Sequence, residues 1–171
     1  RDLGLMTTSE EEIKRLTMLA HEAGLRVSIH SIGDRGINTA LNAIEEAQIR
    51  IPIADMRHRI EHNSCCTPKQ LERIKSLGVV PSSSIGYMWG IGDDYIENFG
   101  PERVRWLHPH RTMQDMGIIS GGNNDYPVTN YSPFVQIYEA VSRKTSSGQI
   151  VAPEEAISVM DAIRVYTWNG A

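Results

Sequence analysis

Two histidines and one aspartate, each near the end of a short apolar or β-branched run, are the residues of this sequence best suited to share a cation. They lie in Val27-Ser28-Ile29-His30-Ser31-Ile32-Gly33-Asp34, in Arg57-His58-Arg59-Ile60-Glu61-His62 and in Asn123-Asn124-Asp125-Tyr126-Pro127. Imidazole nitrogen and carboxylate oxygen together suit borderline divalent ions such as Zn²⁺. Each run reads as a β-strand with a helical segment after it. Parallel strands alternating with helices gather the C-terminal strand ends on one side, where side chains remote in sequence converge.

The elements that must position these residues follow from periodicity and punctuation. Ser9-Glu10-Glu11-Glu12 predicts a helix start, with Ile13, Leu16, Ala20 and Ala23 on the inner face and Gly24 as the stop. A strand over 26–30 follows. Asp34 is placed to cap a second helix with Ile37, Leu41, Ile44 and Ala47 inward. A second strand is expected over 56–62, then a helix capped by Thr67-Pro68 with Leu71, Ile74 and Leu77 buried. Gly78 ends it, and Val79-Val80 opens a third strand that Pro81 cuts short.

Residues 84–107 read as irregular, a candidate lid or substrate wall, with Tyr87 to Trp89 and Trp106 as possible pocket lining. A helix over 111–116, a fourth strand from Ile118-Ile119 to near Asp125, and helices over 133–144 and 153–166 complete the pattern. Four strand–helix units favour a parallel sheet in an α/β fold. A complete eight-stranded barrel needs about 250 residues. The expectation is therefore the C-terminal half of a (β/α)8 TIM-type barrel, forming one partial domain over 1–171.

Composition narrows the function classes. A net charge of −4 and a 40% hydrophobic fraction fit a globular chain and argue against a nucleic-acid platform. No apolar run approaches the roughly 20 residues of a membrane span, so no membrane partner is expected. Cys65 and Cys66 are adjacent, which excludes a disulfide framework and makes a reducing, cytoplasmic setting the default expectation. Their nearness to His62 imitates a metal motif, but small apolar filling of a loop is the better reading. His108-Pro109-His110 imitates a His-x-His metal pair, yet it precedes a helix, and a surface or helix-start role is expected. His21 and His58 receive no role.

In these motifs the chain resembles the amidohydrolase superfamily, in the branch of N-substituted formamide deformylase-like enzymes (amidohydrolase family 3). His30-Ser31-Ile32-Gly33-Asp34 matches that branch's His-x-x-Gly-Asp after the fifth strand, and Arg59-Ile60-Glu61-His62 its sixth-strand motif. Leu77-Gly78-Val79-Val80 matches the seventh strand, while Asn123-Asn124-Asp125-Tyr126-Pro127-Val128 stands where Gly-Ser-Asp-Ala-Pro-Val is usual. The resemblance implies that His30 and His62 are metal ligands. It implies that Asp125 binds the metal or its water and shuttles protons, making it the catalytic residue.

It further implies a divalent metal cofactor, zinc foremost, as one or two ions, and a small-molecule amide-type substrate. The expected reaction is hydrolysis of a C–N bond in an amide, formamide or cyclic amide. Arg59 and Glu61, on the strand face opposite His62 by alternation, are expected to form a structural ion pair. The family's first-strand His-x-His pair is absent from this sequence. The rival reading is a non-catalytic half-barrel, a binding or assembly module that pairs with a second copy or with the missing N-terminal half.

Overall fold

The computed structural model describes residues 4–171. In chain order the elements are α1 (Glu10–Glu22), β1 (Ser28–Ile32), α2 (Asp34–Arg50), β2 (Arg59–Ser64), α3 (Pro68–Leu77) and β3 (Val80–Ser83). They continue as α4 (Tyr87–Phe99), α5 (Pro101–Val104), α6 (His110–Asp115), β4 (Gly121–Gly122), α7 (Pro133–Ser142) and α8 (Val159–Tyr166). The four strands form one parallel sheet in the order β1-β2-β3-β4. This is the strand–helix alternation expected from the sequence.

The core lies between one face of the sheet and the helices. Ile37, Leu41 and Ile44 from α2, Ile60 from β2, and Leu71 and Ile74 from α3 are fully buried together with Met113 of α6. Each such side chain contributes about 1.5–3 kcal/mol by leaving water. The 3.6-residue spacing within α2 and α3 puts these residues on one stripe. At the start of α3, Thr67 N–H donates to Gln70 Oε1 at 2.9 Å, and Gly78 closes it in the left-handed conformation (φ 61°).

Several local expectations give way to packing. In α1, Thr17 and His21 are buried, whereas Leu16 and Leu19 are about half exposed, at 49% and 52%. A buried hydrogen bond explains the rotation: His21 Nδ1 meets His58 Nε2 at 2.9 Å, and His21 Nε2 meets the Ile51 carbonyl at 2.7 Å. Helix α2 begins after Gly33, so Asp34 is its first residue and not its cap; the Asp34 carboxylate accepts from Arg35 N–H at 2.9 Å. Pro81 lies inside β3 without breaking it. Val80 N–H donates to His58 O on the β2 side, so the missing N–H of Pro81 faces β4, whose pairing begins only at Ser82.

Residues 84–107, expected to be irregular, are largely helical, in α4 and α5. Gly92 serves a close approach, since a Cβ there would stand 2.8 Å from the Thr145 methyl. Residues 153–166 hold a short 3-10 turn and then α8, because Ser158 Oγ caps a new helix by accepting from Asp161 N–H at 3.1 Å. The fourth strand is only two residues long. A Cβ on Gly122 would meet the Tyr166 ring at 2.7–3.0 Å. Gly122→Ala is therefore expected to destabilise the fold by about 1–3 kcal/mol. Urea unfolding measures this, and an unchanged midpoint would contradict the packing.

His108 and His110 are buried, which corrects the surface expectation, although His110 does start α6. Burial pushes both imidazoles down, His110 to about 3, and lowers His58 as well, with the neighbouring His21 adding to the effect. The unfolded chain therefore takes up these protons first, below its ordinary histidine pKa of about 6.5. Stability is full above that pH and falls by up to about 1.4 kcal/mol per pH unit for each group. Buried Glu139, pushed up to about 8 by desolvation, works in the opposite sense between pH 4.5 and 8. Three histidines outweigh one carboxyl. Denaturant midpoints are expected to drop between pH 7 and pH 5, and a flat profile would contradict these burials.

Candidate active site

His30 sits in the middle of β1, two residues before its end at Ile32, and so is not strand-terminal. Its register partner is Glu61, whose carboxylate accepts from Ser28 Oγ, so Ser28, His30 and Glu61 share the face away from the helices. Arg59 pairs with Glu61 at 2.7 Å on the same face, the structural ion pair expected from the sequence. Strict alternation would turn His62 toward the helices with Ile60. The left-handed backbone at His62 (φ 67°) and Asn63 (φ 48°), beside a register shift between Ser31 and Ile32, breaks that alternation. Irregularities of this kind re-aim side chains.

As a result the His62 ring meets the edge of His30 with centroids 4.5 Å apart and planes at 71°. On its other side it stacks on Tyr87, at 5.5 Å and 12°. The Tyr87 hydroxyl donates to Asp125 Oδ2. Asp125 also has a left-handed backbone, φ 47°, three residues beyond β4. His30, His62, Tyr87 and Asp125 thus form one continuous row, from β1 through β2 and the start of α4 to the loop after β4. Left-handed non-glycine residues cost about 1–3 kcal/mol each and persist where the surroundings hold them.

The holding contacts come from the end of β3. Ser84 Oγ lies 2.8 Å from His62 Nδ1 and donates to Asn123 Oδ1 at 2.7 Å. Asn123 Nδ2 in turn donates to the Ser82 carbonyl and to Ser82 Oγ, both at 2.9 Å. The Asn123 main-chain N–H donates to Ser83 O at 3.0 Å. Desolvation lowers the His62 pKa and His30 adds to this, while Asp125 and Glu61 pull the other way. A histidine held neutral is ready to ligate.

Among the described residues, no three His, Cys, Asp or Glu side chains are gathered closely enough to hold a metal together. The donor set still fits a divalent ion in part. The two imidazoles touch, His62 Nε2 has no hydrogen-bond partner among the described residues, and its Nδ1 is anchored, as is usual for ligating histidines. Asp125, the third expected ligand, lies beyond Tyr87 and holds its phenol. Cys65 and Cys66 are free thiols, both pushed up to about 12 by burial, which suits packing and not ligation.

The chain as a whole has counterparts among known proteins. The sequence profile of the amidohydrolase family matches residues 3–171. The chain belongs to the amidohydrolase family. It is 31% identical to the N-substituted formamide deformylase of Arthrobacter pascens over 95% of its own length and 30% of that protein. Two solved structures, uncharacterized metal-dependent hydrolases from Pyrococcus horikoshii and Pyrococcus furiosus, superpose with TM-scores of 0.85 and 0.82 at 30% and 32% identity. The match covers 99% of this chain but only 34% and 33% of theirs. This amidohydrolase chain therefore spans about a third of the relatives it matches, and its four-stranded parallel sheet corresponds to part of their barrels.

The amidohydrolase motifs led to His30, His62 and Asp125 but not to the residues between them. Ser84 had a signal in the hydroxyl run Ser82-Ser83-Ser84 at a strand end, and Asn123 had one in its departure from the family's glycine. Of the suggested pocket-lining residues, only Tyr87 reaches the row. Trp89, two positions on and so about 200° around the helix, faces an open cleft of about 450 Å³ with Phe134 and Tyr138. Trp106 lies under the Arg105 guanidinium, 5.3 Å from the ring centroid.

Proposed function

We propose that this chain carries part of the active site of a metal-dependent hydrolase that cleaves a C–N bond in an amide, formamide or cyclic amide. The observation that carries the reading is the row His30–His62–Tyr87–Asp125, in which two touching imidazoles precede a carboxylate held in place by a phenol. His30 and His62 would hold the cation, with zinc as the expected ion. When bound, a divalent cation polarises the scissile carbonyl and acidifies water toward neutrality.

The chain's own residues then handle protons and orientation. Asp125 takes a proton from the attacking water as the C–O bond forms. It returns that proton to the departing nitrogen as the C–N bond breaks, and ends as a carboxylate again. The Tyr87 hydroxyl fixes the Asp125 carboxylate, and its ring, packed edge-on to His108 at 6.5 Å, shields one side of His62 from water.

Chelation and reloading test this reading on the complete protein with a panel of formamides, amides and cyclic amides. Turnover is expected to vanish on chelation and return with Zn²⁺. Turnover indifferent to chelation, or none with metal restored, would overturn it. A second reading, a half-barrel without catalysis, is favoured by the ungathered ligand set. It applies to the isolated 171-residue chain, which is expected to be inactive while the complete protein turns over. Robust metal-dependent turnover by that chain as a monomer would refute this.

A further inference from the structure

We infer that Asn123, acting through Ser84, fixes the tautomer of His62 so that the ring presents a bare Nε2 lone pair; the inference deepens the metal-binding reading above and rests on it. The Ser82 carbonyl can only accept hydrogen bonds. The Asn123 amide atom facing it, 2.9 Å away, must therefore be the NH₂. That orientation leaves Oδ1 toward Ser84. A carbonyl oxygen again only accepts, so the single Ser84 hydroxyl proton goes to Asn123 Oδ1, at 2.7 Å. Ser84 Oγ then has only lone pairs left for His62 Nδ1, 2.8 Å away, so Nδ1 carries the imidazole proton. A neutral imidazole has one N–H. Nε2 is consequently unprotonated, the form in which a nitrogen binds a cation.

Each link in this relay has only one permitted polarity, because it begins at a main-chain carbonyl. The Asn123 backbone is itself held by its N–H on Ser83 O at 3.0 Å, and its own carbonyl accepts from the Tyr166 hydroxyl at 3.4 Å. The other buried histidines near the site lack such a relay. His108 Nδ1 and His110 Nδ1 lie 3.3 Å from Ser83 Oγ and Ser120 Oγ, but no side-chain amide sets the direction of either serine's proton. Among the described residues their Nε2 atoms are buried without a partner, and no comparable relay fixes which nitrogen holds the hydrogen. Asn123 is thus a positioning residue that acts on His62 through a serine.

The test uses the complete protein with ¹⁵N-labelled histidine, first metal-free. Long-range ¹H–¹⁵N correlation spectra distinguish the two neutral tautomers at His62. The wild type is expected to show Nδ1–H. Asn123→Ala frees the Ser84 proton to turn toward His62, so a mixed or Nε2–H signal is expected, with Zn²⁺ affinity falling about 10–100-fold. Ser84→Ala, which removes the link without touching Asn123, is expected to shift the same signal and guards against misfolding of the first variant. A wild-type Nε2–H signal, or an unchanged Nδ1–H signal in both folded variants, would overturn the inference. Because the tautomer is read without metal, a shifted signal supports it even in a protein that turns over no amide, where only the functional reading would fail.

Discussion

Replacing His62 with alanine is expected to lower the metal affinity of the complete protein by more than 100-fold and to remove its amide turnover. Loss of a residue that merely orients a ligand already costs about 10–100-fold, so loss of the ligand itself should exceed that range. The same variant should also cost stability, because the His62 ring is only 7% exposed and packs between His30 and Tyr87. A cavity of that size is worth on the order of 2–4 kcal/mol. His30→Ala separates the two effects. His30 is exposed on the open face of β1, so its variant should lose metal with little change in the unfolding midpoint. Equal destabilisation by both variants, with metal retained, would argue that the pair is structural packing. Isothermal titration with Zn²⁺ alongside urea unfolding gives both readouts.

Asp125→Asn should leave a folded protein that has lost about 10²–10⁴ in kcat, the usual contribution of a positioned acid–base group. The amide oxygen can still accept from the Tyr87 hydroxyl, so the local structure should survive. What the amide cannot do is take up the proton of the attacking water or return it to the departing nitrogen. KM should therefore change much less than kcat, and metal content should fall less than in the histidine variants, because Asp125 stands beyond Tyr87 in the row. A variant with near wild-type kcat would remove Asp125 from the chemistry. One with wild-type kcat per bound metal but little metal would make it a ligand only.

The fold was legible where hydrophobic spacing and end signals agree. Ile37, Leu41 and Ile44 in α2, and Thr67-Pro68 through Gly78 around α3, needed only local rules. It was illegible where a distant partner decides. The rotation of α1 depends on His21 meeting His58, 37 residues away, which no apolar stripe reveals. Gly92 reads as a loop residue because its close approach to Thr145 has no local signature.

The candidate site divides in the same way. His30, His62 and Asp125 could be found because each lies in a motif with a recognisable order. The face that His62 presents could not, since period-two alternation fails at its left-handed backbone. Ser84 follows the end of β3, a strand with no metal-ligand residue type, Tyr87 opens α4, and their roles are set by partners 22 to 39 residues distant.

Whether His30 and His62 hold a metal is decided by the metal content per chain of the complete protein, by elemental analysis at known oligomeric state, for the wild type and for a His30→Ala/His62→Ala double variant. The expected result is stoichiometric zinc in the wild type and its loss in a double variant that remains folded. Equal metal in both, or none in either after reconstitution, would contradict the assignment of these two histidines as ligands.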